Sequence, residues 1–163
     1  MEKNLILFGD YHSQPSRAIF AFCLMTKIPH VVSEVKVMNL DQYKEEFKKL
    51  NPNGKVPAIL DHGFNLYESH TILRYLATSR DCPDHWYPTD FKKRAKINEY
   101  LDWHHNNIRL GAGGYFFRKY VSGLTGKPAP ASLIQESYDM IEKSCSTIEK
   151  MFFYHDKTYM FGD

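Results

Sequence analysis

The chain has 163 residues and a mass of 19.1 kDa, enough for one ordinary domain or two small ones. Hydrophobic residues make up 43% of the chain and aromatic residues 15%, which provides ample core and argues against disorder. The net charge of +2 predicts no nucleic-acid partner, and no apolar run is long enough for a membrane span. Cys23, Cys82 and Cys145 lack metal-ligand spacing, so we expect reduced, mostly buried thiols in a cytoplasmic protein.

The first 79 residues alternate between short apolar runs and helical patterns. Strands are predicted over residues 5–8, 30–37, 56–60 and 64–66, and helices over residues 18–25, 41–50 and 69–79. Asp41 and Ser69 are predicted to cap the second and third of these helices. The order βαβαββα predicts a mixed four-stranded sheet with helices on both faces.

The rest of the chain has helical composition. Residues 80–89 contain two prolines and predict a linker, followed by an all-helical region over residues 90–163. Gly111, Gly113 and Gly114 predict a kink or break within a helical segment over residues 91–120. Ser132 is predicted to cap a last helix that ends near residue 153.

The stretch from residue 51 to residue 75 offers two features to a ligand. Pro57 begins a strand, where a cis peptide bond is expected, and the Val56 backbone is available to pair with an extended peptide. The N-terminus of the helix at Ser69 carries about half a positive charge, which suits a carboxylate. The alternative is a plain β-hairpin that leads into a capped helix.

Two further residues are candidates for chemistry on an anion. Ser13 follows the first strand without a GxSxG motif or a triad partner, so it is predicted to donate a hydrogen bond to an anion. Such a bond, next to a helix N-terminus, lowers the pKa of a bound thiol. Arg109 is predicted to stabilise a thiolate or leaving group. The alternatives are a loop serine that satisfies the backbone and a solvated arginine; the eight histidines lack ligand spacing, so no metal is predicted.

These residues, taken in order, resemble the cytosolic glutathione transferases, and most closely their theta class. The motifs are SQPSR at residues 13–17, KVP at 55–57, ES at 68–69, PDHWYP at 83–88, and WH at 103–104 with Arg109. The resemblance runs along the whole chain and is thin after about Gly111.

The resemblance implies a thioredoxin-like N-terminal domain over residues 1–79 that binds glutathione. An all-α helical domain over residues 90–163, incomplete at its C-terminus, would supply part of an electrophile pocket. It further implies that Ser13 hydrogen-bonds the glutathione sulfur and keeps it as thiolate, while Arg109 lines the active site. Glutathione is then a co-substrate with a small electrophile, and the protein is expected to be a homodimer.

The remaining site residues follow from the same resemblance. Val56 would pair its backbone with the cysteinyl unit ahead of a cis Pro57, and Glu68 and Ser69 would hold the γ-glutamyl end. Lys55 would reach the glycyl carboxylate. Gln42-Tyr43 stand where theta-like members often carry a His-Lys pair, so the glycyl carboxylate is expected to be held differently or more weakly.

Three readings of function remain open. The first is a glutathione transferase; the second is a non-catalytic module of the same fold that binds glutathione or a protein. The third, thiol–disulfide exchange, is disfavoured because Ser13 and not a cysteine follows the first strand. The chain stops where the family continues its helical domain. We therefore expect a fragment, a partial gene product or a subunit that relies on a partner.

Overall fold

The computed structural model describes residues 5–124, 126–153 and 158–161, and the chain divides into two compact units, Met1–Tyr87 and Pro88–Asp163. The predicted division into functional domains, 1–79 and 90–163 with a linker at 80–89, stays a prediction. One short 3₁₀ turn, Asp84–Trp86, lies within that linker.

A mixed four-stranded sheet forms the centre of the first unit, as the order of elements predicted. Its strands are β1 (Leu5–Gly9), β2 (Val31–Glu34), β3 (Ala58–Asp61) and β4 (Phe64–Tyr67), arranged as β2-β1-β3-β4. β1 runs parallel to β2 and antiparallel to β3, and β3 runs antiparallel to β4. Leu7 lies opposite Ile59, and Phe8 lies opposite Ala58. These neighbouring pairs point to opposite faces of the sheet because side chains alternate along a strand.

Helices cover both faces of this sheet. On the face of Leu7 and Ile59, helices α1 (Gln14–Met25) and α3 (Ser69–Ser79) bury the larger core. Its fully buried aliphatic residues are Leu5, Leu7, Ile19, Ile59, Ile72 and Leu76. On the face of Ala58, the short helix α2 (Glu45–Lys48) contributes Phe47 to a smaller cluster with Val35. The predicted βαβαββα unit is therefore present.

The helix predicted over residues 41–50 is present only as the four-residue α2, so its predicted bounds are wrong. A 3₁₀ turn, Asp41–Tyr43, is followed by α2, and Lys44 between them has extended backbone angles of φ −66° and ψ 145°. The Asp41 carboxylate does not cap a helix; it accepts a hydrogen bond from the Lys36 backbone N–H at 3.2 Å and pairs with Lys44 at 2.7 Å. Between residues 41 and 50, Phe47 is the one buried apolar side chain, so packing does not favour a longer helix.

Other element boundaries also differ from the prediction. β2 ends at Glu34 and not at residue 37, because the backbone N–H groups of Lys36 and Val37 donate to the side chains of Asp41 and Asp10, at 3.2 and 2.7 Å, and not to β1. β3 begins at Ala58 and not at residue 56. Ser69 is the first residue of α3, and Glu68 takes the cap position with a positive φ of 74°.

The second unit is helical, as predicted. Its elements are α4 (Phe91–Asn106), α5 (Ile108–Phe116), a π-helical segment (Phe117–Val121), the one-turn α6 (Ser122–Leu124) and α7 (Ala131–Met151). α7 begins at Ala131 with Pro130 before it, so the predicted Ser132 cap is wrong. No helix among the described residues is both long enough and apolar enough to cross a membrane.

The predicted break at the glycines of α5 is also wrong. The helix breaks at Asn107, whose backbone has φ −121° and ψ −95° and whose side-chain amide donates to the Trp103 carbonyl at 2.8 Å. Gly111 and Gly114 lie inside α5. A Cβ on Gly111 would come within 3.1 Å of Met140 on α7. These glycines therefore allow α5 and α7 to pack closely rather than interrupting a helix.

The three cysteines are free thiols. Cys23 is fully buried in α1, and Cys82 is half-buried. Cys145 is exposed on α7, so the expectation of mostly buried cysteines does not hold for it. Burial raises the pKa of the Cys23 thiol to about 12.

Candidate functional site

The predicted site residues of the first unit gather at one end of the sheet. Phe8 of β1 pairs with Ala58 of β3, and Ala58 pairs with Tyr67 of β4. One residue further along lie Gly9, the last residue of β1, Pro57, just before β3, and Glu68, just after β4; these three adjacent strands are spaced about 4.8 Å apart. The loops that carry Ser13, Val56 and Ser69 therefore leave the sheet side by side.

Ser13 occupies the N-cap of α1 at this end of the sheet. Its backbone is fixed on both sides, since its N–H donates to the Asp10 carbonyl at 2.9 Å and its carbonyl accepts from Arg17 N–H at 3.0 Å. Among the described residues, its half-buried hydroxyl oxygen accepts one hydrogen bond, a long one of 3.5 Å from Ser16 N–H. The backbone is thus held firmly while the hydroxyl keeps its own proton for a ligand.

Gly9 lets the first turn of α1 approach β1 closely. A Cβ at this position would lie 2.8 Å from the Phe20 ring and 2.9 Å from the Ser16 side chain, and both side chains are buried. Any larger residue would push the start of α1 away from the sheet. The absence of a side chain at Gly9 therefore sets the position of Ser13.

Asp10 is a buried polar residue that sequence reasoning missed. Its side chain is 3% exposed, and its oxygens accept hydrogen bonds from the backbone N–H groups of His12 at 2.8 Å and Val37 at 2.7 Å. The His12 imidazole lies 3.0 Å away. Burial would raise the pKa of the Asp10 carboxyl, but these hydrogen bonds outweigh it and leave the pKa below its usual value. The position of Asp10 directly after a strand could have marked it in the sequence. Its partner Val37 lies 27 residues away and could not be recognised from the sequence.

The loop before β3 is closed by Asn51, which sequence reasoning treated only as a turn residue. The Asn51 amide is buried; it donates to the Lys55 carbonyl at 2.7 Å and accepts from Asn53 N–H at 3.1 Å. The peptide bond that follows, Val56-Pro57, is cis, as expected from the sequence. Within the described part of the chain, no hydrogen bond engages the backbone of Val56. Its N–H and C=O are available to an extended peptide.

Gln42 and Tyr43 lie against this loop. Gly54 has a positive φ of 59°, and a Cβ there would meet the Tyr43 ring at 2.9 Å and the Gln42 carbonyl at 3.2 Å. The Gln42 side chain is buried, and its Oε1 has no hydrogen-bond partner among the described residues. The structure thus places Gln42 against Gly54, the residue before Lys55, and the Lys55 side chain is exposed.

Glu68 and Ser69 form the third part of this end of the sheet. Glu68 joins β4 to α3 with a positive φ of 74°, and its side chain makes no capping hydrogen bond to the helix. Ser69 is half-buried at the first position of α3. The N-terminus of this 11-residue helix therefore presents its partial positive charge where the sheet ends.

Arg109 is the one predicted site residue in the second unit. It is half-buried near the start of α5. Burial, and then the charges of Arg109 and His105, lower the pKa of His104 on the preceding helix. The predicted role of Arg109 toward a thiolate stays a prediction. Among the described residues, no group of histidine, cysteine, aspartate or glutamate side chains is arranged to hold a metal ion.

Chemically, the first unit combines three ways of holding an anionic peptide. Two helix N-termini, those of α1 and α3, favour negative charge. One stretch of backbone at Val56 is available for pairing. The Ser13 hydroxyl lies at the N-terminus of α1 and can donate its proton to an anion while its oxygen still accepts the long bond from Ser16 N–H.

Comparison with known proteins matches this arrangement to one family. The family model described as glutathione S-transferase, N-terminal domain, matches residues 13–79. Glutathione S-transferase T1 of Arabidopsis thaliana is 40% identical over 160 residues, covering 98% of this chain and 65% of the relative. Glutathione S-transferase theta-2 of Mus musculus is 34% identical over 159 residues, with 98% of this chain and 65% of the relative covered.

Solved structures give the same result. A human theta-class glutathione transferase in complex with the glutathione conjugate of 1-menaphthyl sulfate matches with a TM-score of 0.92 and 33% identity. That match covers 98% of this chain and 65% of the human one. Human glutathione transferase theta-2, in complex with glutathione and an unknown ligand, matches with a TM-score of 0.88 and 34% identity over 92% of this chain and 62% of that one.

The chain spans 65% of the length of the two curated relatives described above. Within that length the fold agrees with theta-class structures from the first strand into the helical region, so the predicted thioredoxin-like domain followed by helices is confirmed. The chain therefore belongs to the glutathione S-transferase family, and the relatives described above are of the theta class.

Proposed function

We propose that the chain carries the glutathione-activating part of a theta-like glutathione transferase. In this proposal Ser13 holds the glutathione sulfur as a thiolate, which attacks a small electrophile. The observation that supports this most is the position of the Ser13 hydroxyl at the N-terminus of α1, at the same end of the sheet as Val56 and Ser69. Its oxygen accepts a long bond of 3.5 Å from Ser16 N–H, which leaves the hydroxyl proton available to a ligand.

Glutathione would bind as an extended peptide along this end of the sheet. The N-terminus of α3 at Ser69 and the Glu68 carboxylate suit the α-carboxylate and the amino group of the γ-glutamyl end, respectively. The Val56 backbone would pair with the cysteinyl unit, which points its sulfur toward Ser13. Lys55 and the Gln42 amide would face the glycyl carboxylate.

The reaction then needs a deprotonated sulfur. The thiol loses its proton to solvent, and the Ser13 hydroxyl donates a hydrogen bond to the sulfur anion beside the N-terminus of α1. The thiolate is the nucleophile, so a lower thiol pKa increases the reactive fraction at neutral pH. The sulfur forms a bond to an electrophilic carbon, and a leaving group departs with its electron pair.

Three further features belong to the same proposal. Arg109 would stabilise the thiolate or the leaving group, because a guanidinium stays charged at all working pH values. Two related human structures are complexes with glutathione or with a glutathione conjugate, which supports glutathione as the co-substrate. A homodimer and a cytoplasmic location are what the resemblance and the free cysteines predict for this chain.

The experiment is a comparison of glutathione binding with conjugation to an aryl halide. Loss of a hydrogen bond to a charged group costs about 1.5–3 kcal/mol, which is about one to two pKa units. Ser13→Ala should therefore lower turnover at neutral pH about ten- to a hundredfold and leave the glutathione dissociation constant nearly unchanged. Ser13→Thr keeps a hydroxyl and should restore part of the rate.

Ser146→Ala is the matched control, because Ser146 is a half-buried serine on α7 in the other unit. It should change neither binding nor turnover. Turnover that survives in Ser13→Ala would remove Ser13 from the mechanism. Glutathione binding by the unmodified chain without any conjugation would support the alternative, a non-catalytic glutathione-binding module.

A further inference from the structure

One buried carboxylate connects two segments of the glutathione site that are far apart in sequence. Asp10 follows β1, and its Oδ1 accepts from the His12 backbone N–H at 2.8 Å, which fixes the turn before Ser13. Its Oδ2 accepts from the Val37 backbone N–H at 2.7 Å, 27 residues away. The Asp10 side chain is 3% exposed, so water does not compete for these bonds.

From Val37 the chain is bonded tightly as far as Gln42. The Lys36 backbone N–H donates to the Asp41 carboxylate at 3.2 Å, and the Asp41 N–H returns a bond to the Lys36 carbonyl at 3.2 Å. Tyr43 N–H then donates to the Leu40 carbonyl at 3.0 Å. These hydrogen bonds close residues 36–43 into one loop, so the position of Val37 constrains the position of Gln42.

We propose that Asp10 is a positioning residue that sets the Ser13 hydroxyl and the Gln42 amide at a fixed separation, so that one glutathione molecule reaches both. This inference rests on the proposed function. Asp10 itself touches no ligand in this account. It acts by bonding one carboxylate oxygen to the Ser13 turn and the other to the Gln42 loop.

Asp61 provides a matched control for a purely structural role. Like Asp10 it is a buried aspartate that follows or ends a strand of the same sheet, and its side chain is 2% exposed. It accepts from the Tyr75 hydroxyl at 2.7 Å and from Arg80 at 2.7 and 2.6 Å. It pairs with Leu5 at the start of β1, so it lies at the opposite end of the sheet from Ser13.

The experiment measures the pKa of the glutathione thiol bound to the full 163-residue chain, by titrating its thiolate absorbance in the ultraviolet. Asp10→Asn keeps the shape of the side chain but replaces one acceptor oxygen with an NH₂ donor, so one of the two backbone links is lost. We expect the pKa of the bound thiol to rise by about one unit, a tenfold change in the thiol–thiolate equilibrium. Asp61→Asn should leave it unchanged.

A double variant tests whether Asp10 acts through Ser13. Because Ser13→Ala already removes the hydroxyl that Asp10 positions, Asp10→Asn in that background should raise the pKa of the bound thiol no further. Additive shifts would overturn the proposal. So would a folded Asp10→Asn chain with an unchanged thiol pKa, or an equal rise in Asp61→Asn.

Two more outcomes are distinguishable. If thiol bound to the unmodified chain titrates like free glutathione, the proposed function fails and the role of Asp10 fails with it. If Asp10→Asn does not fold, amide hydrogen exchange on the unmodified chain tests instead whether Asp10 couples the two segments. Glutathione should slow exchange at His12 and Val37 by similar factors, because both amides donate to one carboxylate. Protection of His12 without Val37 would overturn the coupling.

Discussion

The Arg80–Asp61 pair lends itself to a quantitative test of how the first unit is held together. Arg80, just after α3, donates from one nitrogen to both Asp61 oxygens at 2.7 and 2.6 Å, and the Tyr75 hydroxyl donates to the same carboxylate at 2.7 Å. The pair joins the end of α3 to the hairpin between β3 and β4. Arg80→Met removes the charge and keeps much of the side-chain stem.

The expected cost follows from burial. Removing one partner of a buried ion pair costs about 3–5 kcal/mol, because a charge stays buried without its counterion. The Arg80 side chain is 26% exposed and the Tyr75 hydroxyl remains on Asp61, so solvent and that bond offset part of the loss. We therefore expect Arg80→Met to lower the free energy of unfolding of this unit by about 2–4 kcal/mol.

Urea unfolding followed by tryptophan fluorescence measures this cost. Trp86 packs edge-on against Phe22 with ring centroids 5.2 Å apart, so it reports on the first unit. Trp103 lies in the second unit and is replaced by phenylalanine in every variant to remove its signal. The control is Lys48→Met, which breaks a 3.6 Å surface pair with Glu45 and should cost at most about 1 kcal/mol.

The same pair predicts a pH dependence with a definite sign. Burial alone would raise the pKa of Asp61, but the hydrogen bonds from Arg80 and Tyr75 outweigh it and lower the pKa below its usual value. A lowered carboxyl pKa gives stability that is present above the unfolded pKa of about 4 and is lost as pH falls through the folded pKa. The difference in unfolding free energy between Arg80→Met and the parent chain should therefore become smaller below about pH 4. A cost no greater than that of Lys48→Met at pH 7 would refute this reasoning.

Two other predictions concern a turn and the cysteines. Gly54→Ala places a Cβ 2.9 Å from the Tyr43 ring at a positive φ, so it should lower unfolding free energy by about 1–3 kcal/mol and weaken glutathione binding by calorimetry. Gly63→Ala also has a positive φ but meets no atom within 4 Å; if it weakens binding equally, contact with Tyr43 is not the cause. Iodoacetamide at pH 8 should alkylate exposed Cys145 quickly and buried Cys23 slowly, because burial raises the Cys23 pKa to about 12; equal rates by mass spectrometry would contradict this.

The order of elements could be predicted because its signals are local. Each strand of the first unit is a short apolar or β-branched run between turn residues, and α3 has apolar residues at helical spacing. The cis bond before Pro57 was equally readable, because proline restricts the peptide bond to its immediate neighbour. The resemblance then supplied what these residues do together.

The features that were missed depend on partners far along the chain. Asp10 accepts a hydrogen bond from Val37, and Asp61 accepts hydrogen bonds from Arg80. No periodicity in the sequence indicates either pair. Gly111 looked like a helix break, but its role is set by close packing against Met140 on α7. The conformational freedom of a glycine is evident from the sequence, but whether the glycine breaks a helix or allows close packing depends on tertiary contacts.

The most direct test of the account is the pKa of the glutathione thiol when it is bound to this chain, measured with and without the Ser13 hydroxyl. A free thiol has a pKa near 8.5. The account predicts a lower pKa in the bound state and a rise of about one to two units in Ser13→Ala. If both chains bind glutathione and its thiol titrates identically in both, Ser13 does not stabilise the thiolate.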